Sequence, residues 1–398
     1  MWKEIEAAPA DAILGLTEAF KKDDNPNKVN LGVGVFKDDA GTTPILNCIK
    51  TAEKKLVETE TTKGYLPIPG NPAYGAGVQR LLFGSDSEVI QSKRAATMQT
   101  PGGTGALRTG ADLLKKFNPN AKIWVSTPTW ANHKGIFTAA GYEIADYPYY
   151  DPATKGVKYD ELIQALENVP AGDVVLMHVC CHNPTGVDLV GEQWDKVVEI
   201  AKAKGWTPFL DFAYQGFGDS IEEDRAAVEK FAAAGIDFVV ASSFSKNFGL
   251  YNERTGAFTI ITPSAEETAV ALSHAKLVVR VNYSNPPAHG GLAALSVLED
   301  DALYGQWIGE VADMRDRIKE MRVKLVDGLA ARGVDQDFSY IKEQRGMFSF
   351  SGLSDEIVEW LKVNKSIYIV KGGRINVAGL TSQNIDYVCD AIAEALSA

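Results

Sequence analysis

The sequence predicts an α/β protein: a large domain with a mostly parallel seven-stranded sheet flanked by helices, and a smaller α+β domain. Two observations carry this reading. Between about residues 95 and 262, short apolar runs alternate with segments of helical periodicity, and strands separated by helical crossovers pair in parallel with both faces covered. The chain has 398 residues, more than one hydrophobic core usually spans, so a second and smaller core is expected. In open sheets of this kind ligands gather beyond the carboxyl ends of the strands. The residues that close each apolar run are therefore the ones to inspect.

Taken in order, "AATMQT" is followed by "GALRTGADLLKKF", "KIWVST" by "NHKGIFTAAG", and "EIADYPYY" by "DELIQALENV". The series continues through "DVVLMHV", "EQWDKVVEIAKAKG", "TPFLDFA", "EEDRAAVEKFAAAG" and "DFVVASSF". From 301 to 333 a single long helix is expected, because Leu303, Trp307, Val311, Met314, Ile318, Met321, Leu325 and Leu329 recur every three or four positions and Gly333 is placed to stop it. Beyond it, "MFSFSG", "DEIVEWLKVN", "IYIV", "RINVAG" and "NIDYVCDAIAEAL" form the mixed small domain, joined by the N-terminal segment through "KVNLGVGVF".

The net charge of −12 excludes a nucleic-acid partner, whose phosphates demand a basic surface. The start, "MWKEIEAAPADAILGLTEAF", mixes acids into its apolar positions and lacks the features of a signal peptide. No segment approaches the ~18 apolar residues that span a bilayer. The four cysteines, Cys48, Cys180, Cys181 and Cys389, show no paired spacing, which points to a reducing cytoplasm.

The run ends carry the chemistry. Lys246 follows "DFVVAS" in "SSFSKNFGLYNERTG", with Ser243 before it and Arg254 after it; taken alone it reads as a surface lysine on a strand-to-helix loop. Asp211 closes "TPFLDF", with Tyr214 three positions on, and a carboxylate among apolar residues must be paired. "CCHNPTG" brings Asn183 to a third strand end, where an asparagine before proline also serves plain turn chemistry. "TPGGTGALR", with Gly103 and Thr104, opens a helix with bare backbone N–H groups that suit an anion. It is neither a P-loop nor a dinucleotide fingerprint, because no Gly-Lys-Ser/Thr follows and Arg108 occupies the third glycine position. "HVCCH" invites a zinc reading, but adjacent strand side chains point to opposite faces and no second cluster completes the ligands, so no metal is expected. Arg280 in "KLVVRVNYSNPP" and Arg374 in "GGRINVAG" stand among uncharged neighbours; the guanidinium fork pairs with carboxylates in bidentate fashion. Two of them suit a substrate with two carboxylates.

A lysine nucleophile, an anion cradle, a buried carboxylate and a tyrosine together make a site for pyridoxal phosphate held as a Schiff base. The chain resembles the class I aminotransferases of fold type I, in particular the bacterial aspartate and aromatic group. The similarity runs nearly end to end through "APADAILGL", "NLGVGVFKD", "TPGGTGALR", "CCHNPTG", "DFAYQGF", "SSFSKNFGLYNER", "NYSNPPAHG", "GMFSFSGL" and "GRINVAG". It implies that Lys246 binds the cofactor and shuttles the proton, that Asp211 pairs with the pyridine nitrogen, and that Asn183 and Tyr214 hydrogen-bond the ring oxygen. Gly103, Thr104, Ser243 and Arg254 are implied to hold the phosphate, and Trp130 to stack on the ring. Arg374 is implied to take the α-carboxylate with Asn183 and the backbone near Gly34. Tyr65 and Arg280 are expected from the neighbouring subunit of a homodimer, on the phosphate and the distal carboxylate respectively. The expected limits are an N-terminal arm over 1–10, a small domain over 11–43 and 313–398, and a large domain over 44–312.

The implied reaction is transamination between aspartate and 2-oxoglutarate. Val35, Lys37, Thr43, Thr104 and Asn285 match the aspartate type, whereas Phe36, Phe244 and Gly64 depart from its relatives at non-catalytic positions. An aromatic amino acid transaminase is the alternative. A regulatory module that binds the cofactor without turnover is a rival, as is a lyase or decarboxylase, which has less need of two arginines.

Overall fold

The computed structural model describes residues 5–6 and 14–397, so the arm expected over 1–10 lies outside the described residues apart from Ile5 and Glu6. The strands run in chain order as β1 (Val29–Asn30), β2 (Ala95–Pro101), β3 (Ile123–Thr127), β4 (Ile144–Pro148), β5 (Val174–His178), β6 (Thr207–Phe212), β7 (Phe238–Ser243), β8 (Thr255–Ile261), β9 (Phe348–Phe350), β10 (Ile367–Tyr368) and β11 (Arg374–Asn376). Compactness divides the chain into two units. One runs up to Thr43 and resumes at Arg317; the other is Pro44–Asp316.

Pro44–Asp316 holds the central sheet, of seven strands in the order β2-β8-β7-β6-β5-β3-β4. Every neighbouring pair is parallel except the two that involve β8. The reason is the connection. Helices Gly102–Phe117, Ala131–Ala139, Tyr159–Glu167, Gly191–Lys204 and Ala226–Ala234 carry the chain back between successive strands from β2 to β7. Only residues 244–254 join β7 to β8, too short a link for a helical return, so β8 folds back antiparallel. This is where the alternation read from the sequence breaks: "TGAFTII" is a strand without a helix before it, and Lys246 sits on a strand-to-strand link.

Strands β5, β7 and β8 are buried at every position, as a sheet covered on both faces requires. The helix Gly102–Phe117 packs especially close. A Cβ on Gly110 would lie 2.5 Å from Phe209 Cζ and 2.6 Å from Phe258 Cε2, so only glycine admits these rings. Around this contact Leu107, Val125, Phe137 and Leu176 complete the core.

In the other unit β1 runs parallel to β10 and β9 antiparallel to β11, with Arg374 opposite Phe350. Helices Asp355–Lys365 and Ile385–Ser397 belong to it. The first is capped by Ser354, whose Oγ accepts from Ile357 N at 3.3 Å. The long helix is Asp301–Ala331, with all eight of its expected apolar positions buried. It ends two residues before Gly333, which takes φ +70° and donates its N–H to Ala330 O at 3.0 Å. Among the described residues no helix is long and apolar enough to cross a membrane.

Candidate active site

The carboxyl ends of β5, β6 and β7 and the start of β8 meet at one edge of the sheet, and the chemistry collects there. Asp211 lies one residue before the end of β6, in register with His178 on β5. It is 6% exposed, and its carboxylate accepts a hydrogen bond from His133 Nε2 at 2.8 Å. Burial by itself would push Asp211 up; the hydrogen bond from His133, helped by the electrostatic pull of His133 and Lys246, outweighs it and holds Asp211 below the ordinary carboxylate value. Asp211 is therefore ionised. His133 is held from its other side by Thr129 Oγ1 at 2.8 Å from Nδ1.

His178 lies 5.1 Å from His133 between ring centroids. Burial, reinforced by the His133 charge and opposed by Asp211, pushes it down to about 3, so it is neutral. Its buried Nε2 has no hydrogen-bond partner. His182 is also pushed down by burial; it pairs with Ser126 Oγ and Thr185 Oγ1, each at 2.9 Å, and stacks on Tyr149 at 4.0 Å. Cys180 and Cys181 are buried and form no disulfide. Among the described residues the one trio of potential metal ligands is His133, His178 and Asp211, within 4.8 Å of one another. Neither cysteine of "HVCCH" belongs to it.

Lys246 stands on the β7–β8 link, its Nζ 4.9 Å from the centroid of the Tyr214 ring. Burial pushes its ammonium down to about 8; Asp211 opposes the shift and Arg254 adds to it. Tyr214 is 5% exposed, on a loop organised by Asp224. The Asp224 carboxylate accepts from Gly216 N at 2.7 Å, Gly218 N at 3.0 Å and Asp219 N at 2.8 Å. Asn247 ties the two loops together: its Nδ2 donates to Gln215 O at 3.1 Å, and its own carbonyl accepts from Trp307 Nε1 at 2.7 Å. Asn183 is buried on the loop leaving β5. Trp130, on the loop leaving β3, meets His133 edge-on at 5.2 Å.

At the same edge the helix Gly102–Phe117 begins directly from β2, and Pro101 at its N-cap offers no side-chain hydrogen bond. Gly102 takes φ +70°, and a Cβ there would stand 2.5 Å from Arg254 Nη2; one on Gly103 would stand 3.1 Å from Ser243 Cβ. The guanidinium thus lies directly over a bare backbone at a helix N-terminus. With Thr104 exposed beside it, this is an anion cradle in which helix dipole and arginine act together.

Of the remaining expected residues, Arg374 and Gly34 belong to the other unit. Arg374 is 5% exposed, donates from Nη2 to Gly32 O at 2.5 Å, and lies 4.2 Å over the Phe348 ring. A Cβ on Gly34 would fall 2.6 Å from Phe348 Cζ, so Gly34 and Arg374 flank one ring. Tyr65, 95% exposed, and Arg280, exposed at the end of the helix Ala265–Asn282, line one open groove with Lys63, Gly64, Leu66 and Asn285. Lys246 and Asp211 do not line it. Sequence reasoning missed His133, Asp224 and Asn247. The signal for His133 is a histidine on the inward face of the helix Ala131–Ala139, beside Ile136 and Phe137.

The sequence matches the family Aminotransferase class I and II over residues 26–392. It is 50% identical over 396 residues, covering the whole of both chains, to the aspartate aminotransferase of Haemophilus influenzae. Among solved structures, the aromatic-amino-acid aminotransferase of Burkholderia pseudomallei, covalently bound to pyridoxal phosphate, is 52% identical with a TM-score of 0.97, covering 100% of this chain and 99% of that one. The psychrophilic aromatic amino acids aminotransferase of Psychrobacter sp. B6, cocrystallised with aspartic acid, is 45% identical with the same TM-score and covers all of both chains. Fold, strand-end chemistry and full-length similarity agree: the chain belongs to the class I and II aminotransferases.

Proposed function

We propose that the protein is a pyridoxal-phosphate transaminase that exchanges the amino group between L-aspartate and 2-oxoglutarate, giving oxaloacetate and L-glutamate. The residues present fit the cofactor. The glycine-floored cradle under Arg254 suits a phosphate monoester, and ionised Asp211 needs a cation that a protonated pyridine nitrogen supplies. When bound, pyridoxal phosphate contributes an electron sink conjugated to the substrate Cα.

Lys246 would hold the cofactor covalently and, once released by substrate, would serve as the base and acid that removes and returns the substrate Cα proton. An amine titrating near 8 both gives and accepts protons at neutral pH, which is worth about 10²–10⁴-fold in rate. Asp211, oriented by His133, keeps the ring nitrogen protonated. Asn183 and Tyr214 hydrogen-bond the ring oxygen, and Trp130 covers the ring face. Gly103, Thr104, Ser243 and Arg254 bind the phosphate. Arg374 takes the α-carboxylate with Asn183 and the Gly34 backbone.

The partner subunit's Tyr65 and the partner subunit's Arg280 complete the site in a homodimer, on the phosphate and the distal carboxylate. Their exposure in one groove, away from the Lys246 of their own chain, supports this reading. We take the two units as the small and large domains expected from the sequence, and the cytoplasm as the location, a reading supported by four cysteines that form no disulfide.

The observation that carries the proposal is the amine of Lys246, lowered toward neutrality beside ionised Asp211 at the same strand ends as the anion cradle. A second reading, aromatic transamination, is favoured by the 52% identity to the Burkholderia pseudomallei enzyme. Burying Arg280 without a carboxylate partner costs ~2–5 kcal/mol, or roughly thirty-fold to several thousand-fold in specificity. A coupled assay with 2-oxoglutarate is therefore expected to give kcat/KM for aspartate at least about thirty-fold above phenylalanine. Equal efficiencies assign the protein to the aromatic branch, and no turnover with either makes it a non-catalytic binder.

A further inference from the structure

We propose that Arg322 is a positioning residue for the substrate α-carboxylate, acting through Phe348 on the guanidinium of Arg374. The proposal rests on the reading of Arg374 as the carboxylate clamp. Arg322 lies on the helix Asp301–Ala331 and is 1% exposed. Its Nη1 donates to Ile341 O at 3.3 Å and to Ser349 Oγ, and its Nη2 donates to Gly346 O and Phe348 O, each at 2.7 Å. One planar fork thereby gathers the turn at Gly346, where φ is +76°, and the first two residues of β9.

Filling space does not require this arginine. An apolar side chain of similar volume would pack there without the cost of desolvating a charge. What the guanidinium adds is direction, since its donors fix several carbonyls in one plane, which the point charge of lysine cannot do. The consequence falls on Phe348. Its carbonyl is held by Arg322, its ring lies 4.2 Å from the Arg374 guanidinium carbon, and the same ring fills the space that a side chain at Gly34 would need. Stacking engages the face of a guanidinium and leaves its N–H edge to bind a carboxylate. The ring position therefore sets where that edge points, and Gly32 O fixes the other side at 2.5 Å. Asn376, paired with Phe348 across the two strands, secures the segment further by donating to Val33 O and Val35 O at 2.6 and 2.9 Å.

The test uses Arg322→Lys and Phe348→Leu in the cofactor-loaded enzyme, titrated with aspartate and with alanine, which carries only the α-carboxylate. Each variant is expected to raise the dissociation constants of both amino acids by the same factor, about tenfold. The maximal half-reaction rate and the pH midpoint of the visible cofactor band are expected to stay at wild-type values. Arg280→Ala, in contrast, should weaken aspartate alone. Unchanged binding in a folded Arg322→Lys, or a loss shared by rate, band and binding, overturns the proposal. Should Arg322→Lys fail to fold, Phe348→Leu decides by the same criteria. Arg374→Ala separates the two failures: if it leaves both amino acids bound as before, the clamp reading is wrong and this proposal falls with it. If Arg374→Ala abolishes binding while Arg322→Lys and Phe348→Leu do not weaken it, only the positioning role is refuted.

Discussion

Burial disfavours charge on both Lys246 and Asp211, and the site answers differently in each case. Asp211 has His133 at 2.8 Å, and that bond together with the nearby positive charges keeps it ionised despite burial. Lys246 has only the more distant pull of Asp211, opposed by Arg254, so burial prevails and its pKa drops to about 8. The sign of the pH effect follows. Covalent capture of an aldehyde needs the neutral amine, which is depleted as pH falls below the pKa. Capture of pyridoxal phosphate by the cofactor-free protein should rise about tenfold from pH 6 to 7 and level off above about pH 8. Because Asp211 is the influence that raises the lysine pKa, Asp211→Asn should move the plateau to lower pH. Stopped-flow absorbance across pH reads both, and a rate still climbing steeply past pH 9 rules out the lowered pKa.

At the scale of elements, the site depends on how closely the helix Gly102–Phe117 approaches the sheet. Its first residue leaves β2 with φ +70°, which glycine tolerates without strain, and its packing is set one face further along by Gly110 against Phe209 and Phe258. Gly110→Ala places a methyl group inside those rings and should destabilise Pro44–Asp316 by ~1–3 kcal/mol through overpacking. Urea denaturation followed by tryptophan fluorescence should show an earlier midpoint, while the cofactor content of the native protein is retained. An unaltered midpoint would mean that the helix shifts freely on the sheet.

For the whole molecule the decisive question is where Arg280 and Tyr65 act. Their common groove excludes Lys246 and Asp211, so in the proposed dimer each protomer lends them to the other. Lys246→Ala and Arg280→Ala are each expected to be inactive toward aspartate. Mixed under conditions of subunit exchange, they form hybrids in which one site carries both changes and the other neither. With random reassortment about a quarter of wild-type activity should return. Absence of recovery, once exchange is demonstrated by mass spectrometry, would sink the shared site.

What was legible in the sequence is what local physics controls. Period-two and period-3.6 patterning placed β2 to β7 and the helices between them, because backbone geometry alone decides which neighbours share a face. Residues that end an apolar run stand out without a partner in view, so Lys246, Asp211 and Asn183 could be picked one at a time. Their partners could not. His133 is 78 positions from Asp211, and no pattern along the chain ties the two. Arg322 reads as one more charge on an amphipathic helix, between Met321 and Leu325, and only the fold turns it inward onto Gly346 and Phe348. The antiparallel β8 was missed because chain length, and no residue type, forbids a helix before it. By itself, then, the sequence determined the element types, the sheet class and which polar residues stand at the strand ends. Tertiary structure decided which way Arg322 faces, which imidazole holds Asp211 and how far burial lowers Lys246, since these depend on distances and desolvation that arise only when remote segments pack together.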